Sequence, residues 1–172
     1  MKVCVVGMGY IGLPTSLMMA SHGVDTVGVD YDASKIASLK AGHVTFEEEG
    51  LEELFHDAVK AGISFETGYP AADMYVISVP TPYDKDTKKI DASYVTAAVK
   101  SVLKVCPRGA ILSIESTISP GTIDRFVRPA VEEEGFVIGR DVHLAHTPER
   151  IIPGNMVYEL LHNSRTIGVA EP

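Results

Sequence analysis

Three glycines, Gly7, Gly9 and Gly12, fall within the opening stretch VCVVGMGYIGLP, residues 3–14. An apolar, strand-like run precedes them and a helix-like pattern follows. The acidic residue Asp30 arrives at the end of the next apolar run, about 20 residues on, as a dinucleotide fingerprint requires. The chemistry this spacing supports is diphosphate binding. Gly7 permits a sharp exit from the strand, Gly9 lets the backbone approach a pyrophosphate, and Gly12 lets helix and sheet pack closely. The amides at the front of the helix, around Gly9, Tyr10 and Ile11, then supply donors and the positive dipole end. A ligand-free turn is the plain alternative, and Asp30 in its expected place weighs against it.

Asp30 is suited to accept hydrogen bonds from the ribose hydroxyls of an adenosine. A 2′-phosphate about 4 Å away would be repelled by roughly 4 kcal/mol at an effective dielectric of ~20, so the sequence favours NAD over NADP. Asp32 reinforces that preference and Lys35 is the one nearby cation that opposes it. YDASK, residues 31–35, has the Tyr-x-x-x-Lys spacing of short-chain dehydrogenases, yet it follows the second strand, on the adenosine side and away from any nicotinamide.

Further candidates collect at the ends of later apolar runs. In SVPTPYD, Pro80 and Pro82 cannot continue a central strand, so Val79, Pro80 and Thr81 form an irregular loop able to line a cofactor. In ESTISPGT, Ser116 and Thr117 lie just past a buried strand; either is a possible helix cap, and Thr117 is the better candidate to face a nicotinamide. Glu149 follows Pro148 at the end of the sixth run, where a carboxylate either supports a helix start or acts as general base. His143 and His146, three apart on a strand, point to opposite faces and do not share a metal.

These residues need a scaffold that gathers strand ends. Six apolar or β-branched runs recur at about 2–7, 25–30, 63–66, 74–79, 110–115 and 142–146, with helical patterns between most of them. The alternation predicts an α/β fold: a doubly wound, Rossmann-like parallel sheet of six or more strands with helices on both faces. Such sheets bind ligands beyond the carboxyl ends of their strands. The first helix is expected from Tyr10 to His22, with Pro14 in its opening turn and Gly23 ending it. Asp32 caps a second helix ending near Gly42. The third, in GLEELFHDAVKAG, turns Leu51, Leu54, Phe55, Ala58 and Val59 inward. A fourth starts at Asp91, a fifth has Pro120 in its first turn, a short helix covers 156–162, and RTIGV forms a last strand.

At 172 residues the chain fits one domain with a single core. Its net charge of −8 disfavours nonspecific nucleic-acid binding, which requires a basic face. An anionic ligand must therefore be held by local dipoles rather than by the overall field. The acidic cluster at 47–53 is expected to be a solvated helix start. The glycines and Pro14 interrupt the apolar run at 3–20, so no export signal or membrane partner is expected. Two cysteines, Cys4 and Cys106, without a disulfide framework fit a reducing cytoplasm.

VVGMGYIGLP, VGVDYDASKIASLKAG, EEEGLEEL, VISVPTP, ESTISPGT and TPERIIPG occur in the order found in the UDP-glucose/UDP-N-acetylmannosamine dehydrogenase family, which this sequence resembles over essentially its whole length. PERIIPG resembles the N-acetylhexosamine branch, since UDP-glucose enzymes typically carry a Pro-Glu-Phe-Leu type segment there. The resemblance implies a four-electron oxidation of a UDP-sugar C6 alcohol to a uronic acid with two NAD. By position it assigns Gly7, Gly9, Gly12, Asp30, Lys35, Thr81 and Thr117 to NAD or its bound water, Glu149 to the acid/base role and Arg150 to the substrate. It also implies a homo-oligomer for the full-length enzyme. The family's nucleophilic cysteine lies in a Gly-Phe-Gly-Gly-x-Cys segment that does not occur in this sequence, and neither Cys4 nor Cys106 has that context. The expectation is an N-terminal cofactor domain or a shortened relative. Two other readings stand beside it: a noncatalytic NAD-sensing or oligomerisation module, and a Rossmann domain for S-adenosylmethionine, which the third glycine and the strand-end Thr117 and Glu149 fit less well.

Overall fold

The computed structural model describes residues 1–169. Its chain order is β1 (Lys2–Val6), α1 (Gly12–Ser21), β2 (Asp25–Val29), α2 (Ala33–Lys40), α3 (Leu51–Ala61), β3 (Ser64–Glu66) and β4 (Met74–Ile77). A small hairpin of β5 (Tyr83–Asp84) and β6 (Lys89–Ile90) follows, then α4 (Ser93–Leu103), β7 (Ala110–Ile114) and α5 (Arg128–Glu133). The chain continues through β8 (Val142–His146), α6 (Met156–His162) and β9 (Gly168–Val169).

The main sheet has seven strands in the order β3-β2-β1-β4-β7-β8-β9. All neighbours run parallel except β8 and β9, which are antiparallel, so the expected parallel sheet carries an antiparallel edge. The strand order reverses between β1 and β4, which makes their carboxyl ends the switch point where such folds bind ligands.

Alternation along β1 shows why two helical layers form. Cys4 and Val6 join one apolar cluster with α4 and α5 residues such as Val95, Val99 and Val131. Val3 and Val5 join the other, with Leu13 and Leu17 of α1, Ile36 of α2 and Phe55 of α3. Side chains two apart share a face, so a strand buried on both faces reads as an unbroken apolar run. The single expected core is thus two cores separated by the sheet.

Local signals set most helix ends. Asp32 caps α2 by accepting from the amides of Ser34 and Lys35, and Gly62 ends α3 in the left-handed conformation. Several expectations shift. Helix α1 begins at Gly12 rather than Tyr10, because the glycine turn takes up the two residues before it. Val59 is 48% exposed, since the buried stripe of α3 is fully served by Leu51, Leu54, Phe55 and Ala58. Asp91 lies one residue before the α4 N-cap position and accepts from the Ser93 amide. Pro120 lies in a turn ahead of its helix. That helix opens with a π-helical segment, Ile123–Val127. Pro129 explains the widened turn: it has no N–H for the Arg125 carbonyl, and its ring crowds that carbonyl in a regular α-helix. Of RTIGV only Gly168–Val169 pairs as a strand.

Candidate functional site

The carboxyl ends of β1, β2, β4 and β7 surround one cleft of about 410 Å³. Its floor is the glycine turn. Gly7 has φ +98, and a Cβ there would meet the Ser78 carbonyl oxygen at 2.4 Å. A Cβ on Gly12 would lie 1.8 Å from the Gly7 carbonyl oxygen. Gly12 therefore sits behind the cleft and closes helix against turn. Gly9 is the opposite case: it lines the cleft, and a Cβ there would meet no protein atom within 4 Å. Gly7 and Gly12 are thus closed in by backbone, while Gly9 faces open space.

Tyr10 and Ile11 line the same floor. Among the described residues the amides of Gly9, Tyr10 and Ile11 donate to no protein acceptor, whereas the amides of Leu13 and Thr15 already bond to Gly9 and Ile11 carbonyls. Three adjacent unpaired donors at a helix front, beside a glycine with open space, fit an anionic diphosphate.

On the β2 side, Asp30 is 5% exposed and holds three donors. Its Oδ2 accepts from the Met8 amide and from Lys35 Nζ, each at 2.8 Å, and its Oδ1 accepts from the Asp32 amide at 3.0 Å. One acceptor position on Oδ1 remains open. The ion pair changes the electrostatic expectation: Lys35 cancels most of the bare carboxylate's repulsion of a 2′-phosphate, so Asp30 alone does not set cofactor choice. Tyr31, Tyr69 and Tyr94 complete this apolar end of the cleft, and neither Tyr69 nor Tyr94 had a spacing signal.

The opposite wall comes from the loops after β4 and β7, which are pinned together. Thr81 Oγ1 donates to the Thr117 carbonyl at 2.7 Å, and Ser116 Oγ donates to the Val79 carbonyl at 2.8 Å. Val79, Pro80, Thr81, Ser116 and Thr117 all line the cleft. The Ser116 proton is committed to holding the loop, while the Thr117 hydroxyl makes no hydrogen bond among the described residues.

Glu149 and Arg150 do not line this cleft. They belong to a neighbouring charged cluster that sequence spacing did not reveal. Glu115 is 1% exposed, accepts from Ser78 Oγ at 2.7 Å and pairs with Arg165. Arg165 also binds Glu149 Oε2 at 2.6 Å. Glu149 Oε1 caps the following turn, accepting from the Arg150 amide and, at 2.6 Å, from the Ile151 amide. Arg165 thus joins a buried carboxylate of the cofactor cleft to Glu149, whose side chain is 6% exposed. The side chain of Arg150 is exposed. The one legible hint was Glu115 itself, a charge directly after the apolar run AILSI.

The acidic cluster is likewise more than a solvated helix start. Glu52 and Glu53 fit that expectation in the first turn of α3, but Glu48 accepts from Tyr10 Oη at 2.6 Å and from two amides near α6. Neither cysteine enters the site: Cys4 is fully buried, which pushes its thiol up to about 12, and burial also raises the half-buried Cys106. Among the described residues no cluster of His, Cys, Asp or Glu has metal-binding geometry, and no helix is long and apolar enough to cross a membrane.

A doubly wound sheet with a glycine turn, unpaired helix-front amides and a strand-end carboxylate at its switch point defines a dinucleotide-binding domain of the Rossmann type. The chain belongs to the UDP-glucose/GDP-mannose dehydrogenase family as its NAD binding domain, whose model matches residues 1–172. It is 40% identical over 171 residues to a UDP-N-acetyl-D-mannosamine dehydrogenase of Methanococcus vannielii, covering 97% of this chain and 38% of that protein. Among solved structures, the UDP-N-acetyl-mannosamine dehydrogenase Cap5O from Staphylococcus aureus superposes with a TM-score of 0.93 at 44% identity, over 98% of this chain and 42% of that one. The corresponding enzyme from Pyrococcus horikoshii gives 0.91 at 36% identity, over 98% and 41%. The chain thus spans about two-fifths of the length of these relatives. NAD is the cofactor of the family to which it belongs.

Proposed function

We propose that this chain is the cofactor-binding part of a UDP-N-acetyl-D-mannosamine 6-dehydrogenase, which oxidises the C6 alcohol of the sugar to a carboxylate with two NAD per sugar. The observation that carries the reading is the cleft at the switch point: unpaired amides of Gly9, Tyr10 and Ile11 on its floor, Asp30 at one end and Thr117 at the other. The similarity to UDP-N-acetyl-D-mannosamine dehydrogenases over nearly the whole chain supports the choice of sugar.

In this reading the three amides hold the diphosphate, and Asp30, oriented by Lys35 and the Met8 amide, holds the adenosine ribose. Val79, Pro80, Thr81 and Ser116 wall the far half and exclude water. Bound there, the cofactor supplies the hydride acceptor. Thr117 Oγ1 orients a water or the substrate hydroxyl. Glu149 is the acid/base residue: Arg165 and two amides fix its carboxylate, and Oε2 keeps one acceptor position for the proton it takes up and returns. Arg150, exposed beside it, is placed to hold an anionic part of the substrate. Burial raises the thiols of both Cys4 and Cys106 and makes them poor nucleophiles, so in this reading the thiol that carries the second oxidation belongs to the larger enzyme. That enzyme works as a homo-oligomer in the cytoplasm.

The test is NADH formed per sugar consumed by the complete enzyme. The proposal expects two NADH per UDP-N-acetyl-D-mannosamine, little turnover of UDP-glucose, and a loss of at least ~100-fold in kcat in Glu149→Gln, the usual scale for general acid–base catalysis. One NADH per sugar, preference for UDP-glucose, or binding of S-adenosylmethionine in place of NAD would overturn it.

A further inference from the structure

Glu48 is the acidic residue that the cofactor reading leaves unexplained. It lies in the loop between α2 and α3, far in sequence from every partner of its carboxylate. Its Oε2 accepts from Tyr10 Oη at 2.6 Å. Its Oε1 accepts from the Gly154 amide at 2.8 Å and from the Met156 amide at 3.2 Å. One carboxylate therefore ties the glycine turn to the end of the segment that starts at Glu149.

The surroundings support a fixed linkage. The Tyr10 ring packs on Phe46 with centroids 5.1 Å apart. A Cβ built on Gly50 would sit 3.6 Å from Val157 of α6, so the Glu48 loop also rests against that helix. Within the segment, the Ile152 amide donates to Glu159 Oε2 at 2.8 Å. Burial and the neighbouring carboxylate push the Tyr10 hydroxyl up to about 12, while the Tyr10 hydrogen bond and the two amides lower Glu48. At neutral pH the phenol stays a donor and the carboxylate an acceptor.

We infer that Glu48 is a positioning residue that transmits occupancy of the diphosphate turn to the 149–156 segment, so that filling the turn at Tyr10 steadies the segment carrying Glu149 and Arg150. The inference rests on the proposed diphosphate role of the Tyr10 amide. The physical basis is that Tyr10 lines the cleft with its amide unpaired while its hydroxyl holds Glu48. Restricting the turn removes freedom that the Gly154 and Met156 amides would otherwise share. Linkage makes the effect reciprocal: whatever fixes the segment strengthens cofactor binding by the same factor.

Amide hydrogen exchange read by NMR tests this, each protein being saturated with NAD at its own affinity measured by calorimetry. In the wild type NAD should slow exchange at Gly154 and Met156 by at least ~5-fold, the lower end of ordinary allosteric coupling. In Tyr10→Phe, which leaves Glu48 on both amides, exchange at Met156 without NAD should stay near wild type while the NAD-dependent slowing falls below ~2-fold, under the ~5-fold lower end of that coupling. Glu48→Ala should speed exchange at both amides without NAD and likewise abolish the NAD effect. Equal slowing in wild type and both variants would overturn the inference, as would no slowing in a wild type shown by calorimetry to be saturated. No calorimetric binding of NAD at all would instead remove the cofactor reading itself, and the inference with it.

Discussion

The two halves of the cleft hold their shape by different means. On the β1–α1–β2 side, backbone does the work: Gly7, Gly9 and Gly12 set the approach distances, and the one buried carboxylate, Asp30, is satisfied by neighbours within 22 residues of it. On the β4–β7–β8 side the shape depends on side chains distant in sequence. Ser78 reaches Glu115 across 37 residues and Glu115 reaches Arg165 across 50. Where backbone closes on backbone, at Gly7 and Gly12, almost no added atom is tolerated, while a charge-built wall tolerates shape changes but no unbalanced charge.

Changing the glycines tests the first half, with the largest expected effect. Gly12→Ala forces a methyl group into the Gly7 carbonyl oxygen, and urea unfolding should show a loss of about 4 kcal/mol or more, beyond ordinary overpacking because the obstacle is backbone. Gly9→Ala should stay within about 0.5 kcal/mol of wild type in the same experiment, as a substitution free of burial does, yet weaken NAD in calorimetry. If the two variants unfold alike, the division of roles within the triplet is wrong.

Arg165→Met probes the second half. It strands two carboxylates, the buried Glu115 and the nearly buried Glu149, at a cost of about 3 kcal/mol, the low end for a broken buried pair because the arginine is 31% exposed. Adding Glu115→Gln should recover part of that loss in urea unfolding. A double variant no more stable than the single one would show that the pair does not behave as a charge balance.

Asp30→Ala comes next and acts mainly on binding. It should weaken NAD by about 1–3 kcal/mol through loss of charged hydrogen bonds, and free Lys35 should narrow the gap between NAD and NADP. An unchanged NAD affinity would remove Asp30 from the ribose.

The smallest effect is a pH dependence at the end of β8. Burial lowers the His146 pKa from its ordinary 6.5, and its Nε2 is buried without a hydrogen-bond partner. A folded-state value below the unfolded one means that the unfolded chain takes up the proton first. The contribution of His146 is thus complete above about pH 6.5 and is lost as pH falls through the lowered value. Urea midpoints measured from pH 7 downward should decline more steeply in wild type than in His146→Gln. Parallel curves would exclude the histidine as the cause.

The same contrast explains what the sequence made legible. Strand runs, the glycine triplet, Asp30 and the two Thr-bearing loops could be read because each is a local pattern whose meaning depends on near neighbours. Val59 and Pro120 misled because helical periodicity says which residues can share a face, not how wide the buried stripe is or where a helix opens. Glu48, Glu115 and Arg165 left almost no local signal, since their partners are chosen by tertiary contact. Lys35 was visible, but its pairing with Asp30, which tempers the argument against NADP, emerges only in three dimensions.

The proposed contact between the diphosphate and the unpaired amides of Gly9, Tyr10 and Ile11 has a direct readout. It is tested most directly by following the amide resonances of the isotopically labelled protein during parallel titrations with NAD and with adenosine, which has the ribose but no diphosphate. NAD should shift the Gly9, Tyr10 and Ile11 amides to saturation, while adenosine should perturb residues around Asp30 and leave those three in place. Three amides unmoved at saturating NAD would contradict it.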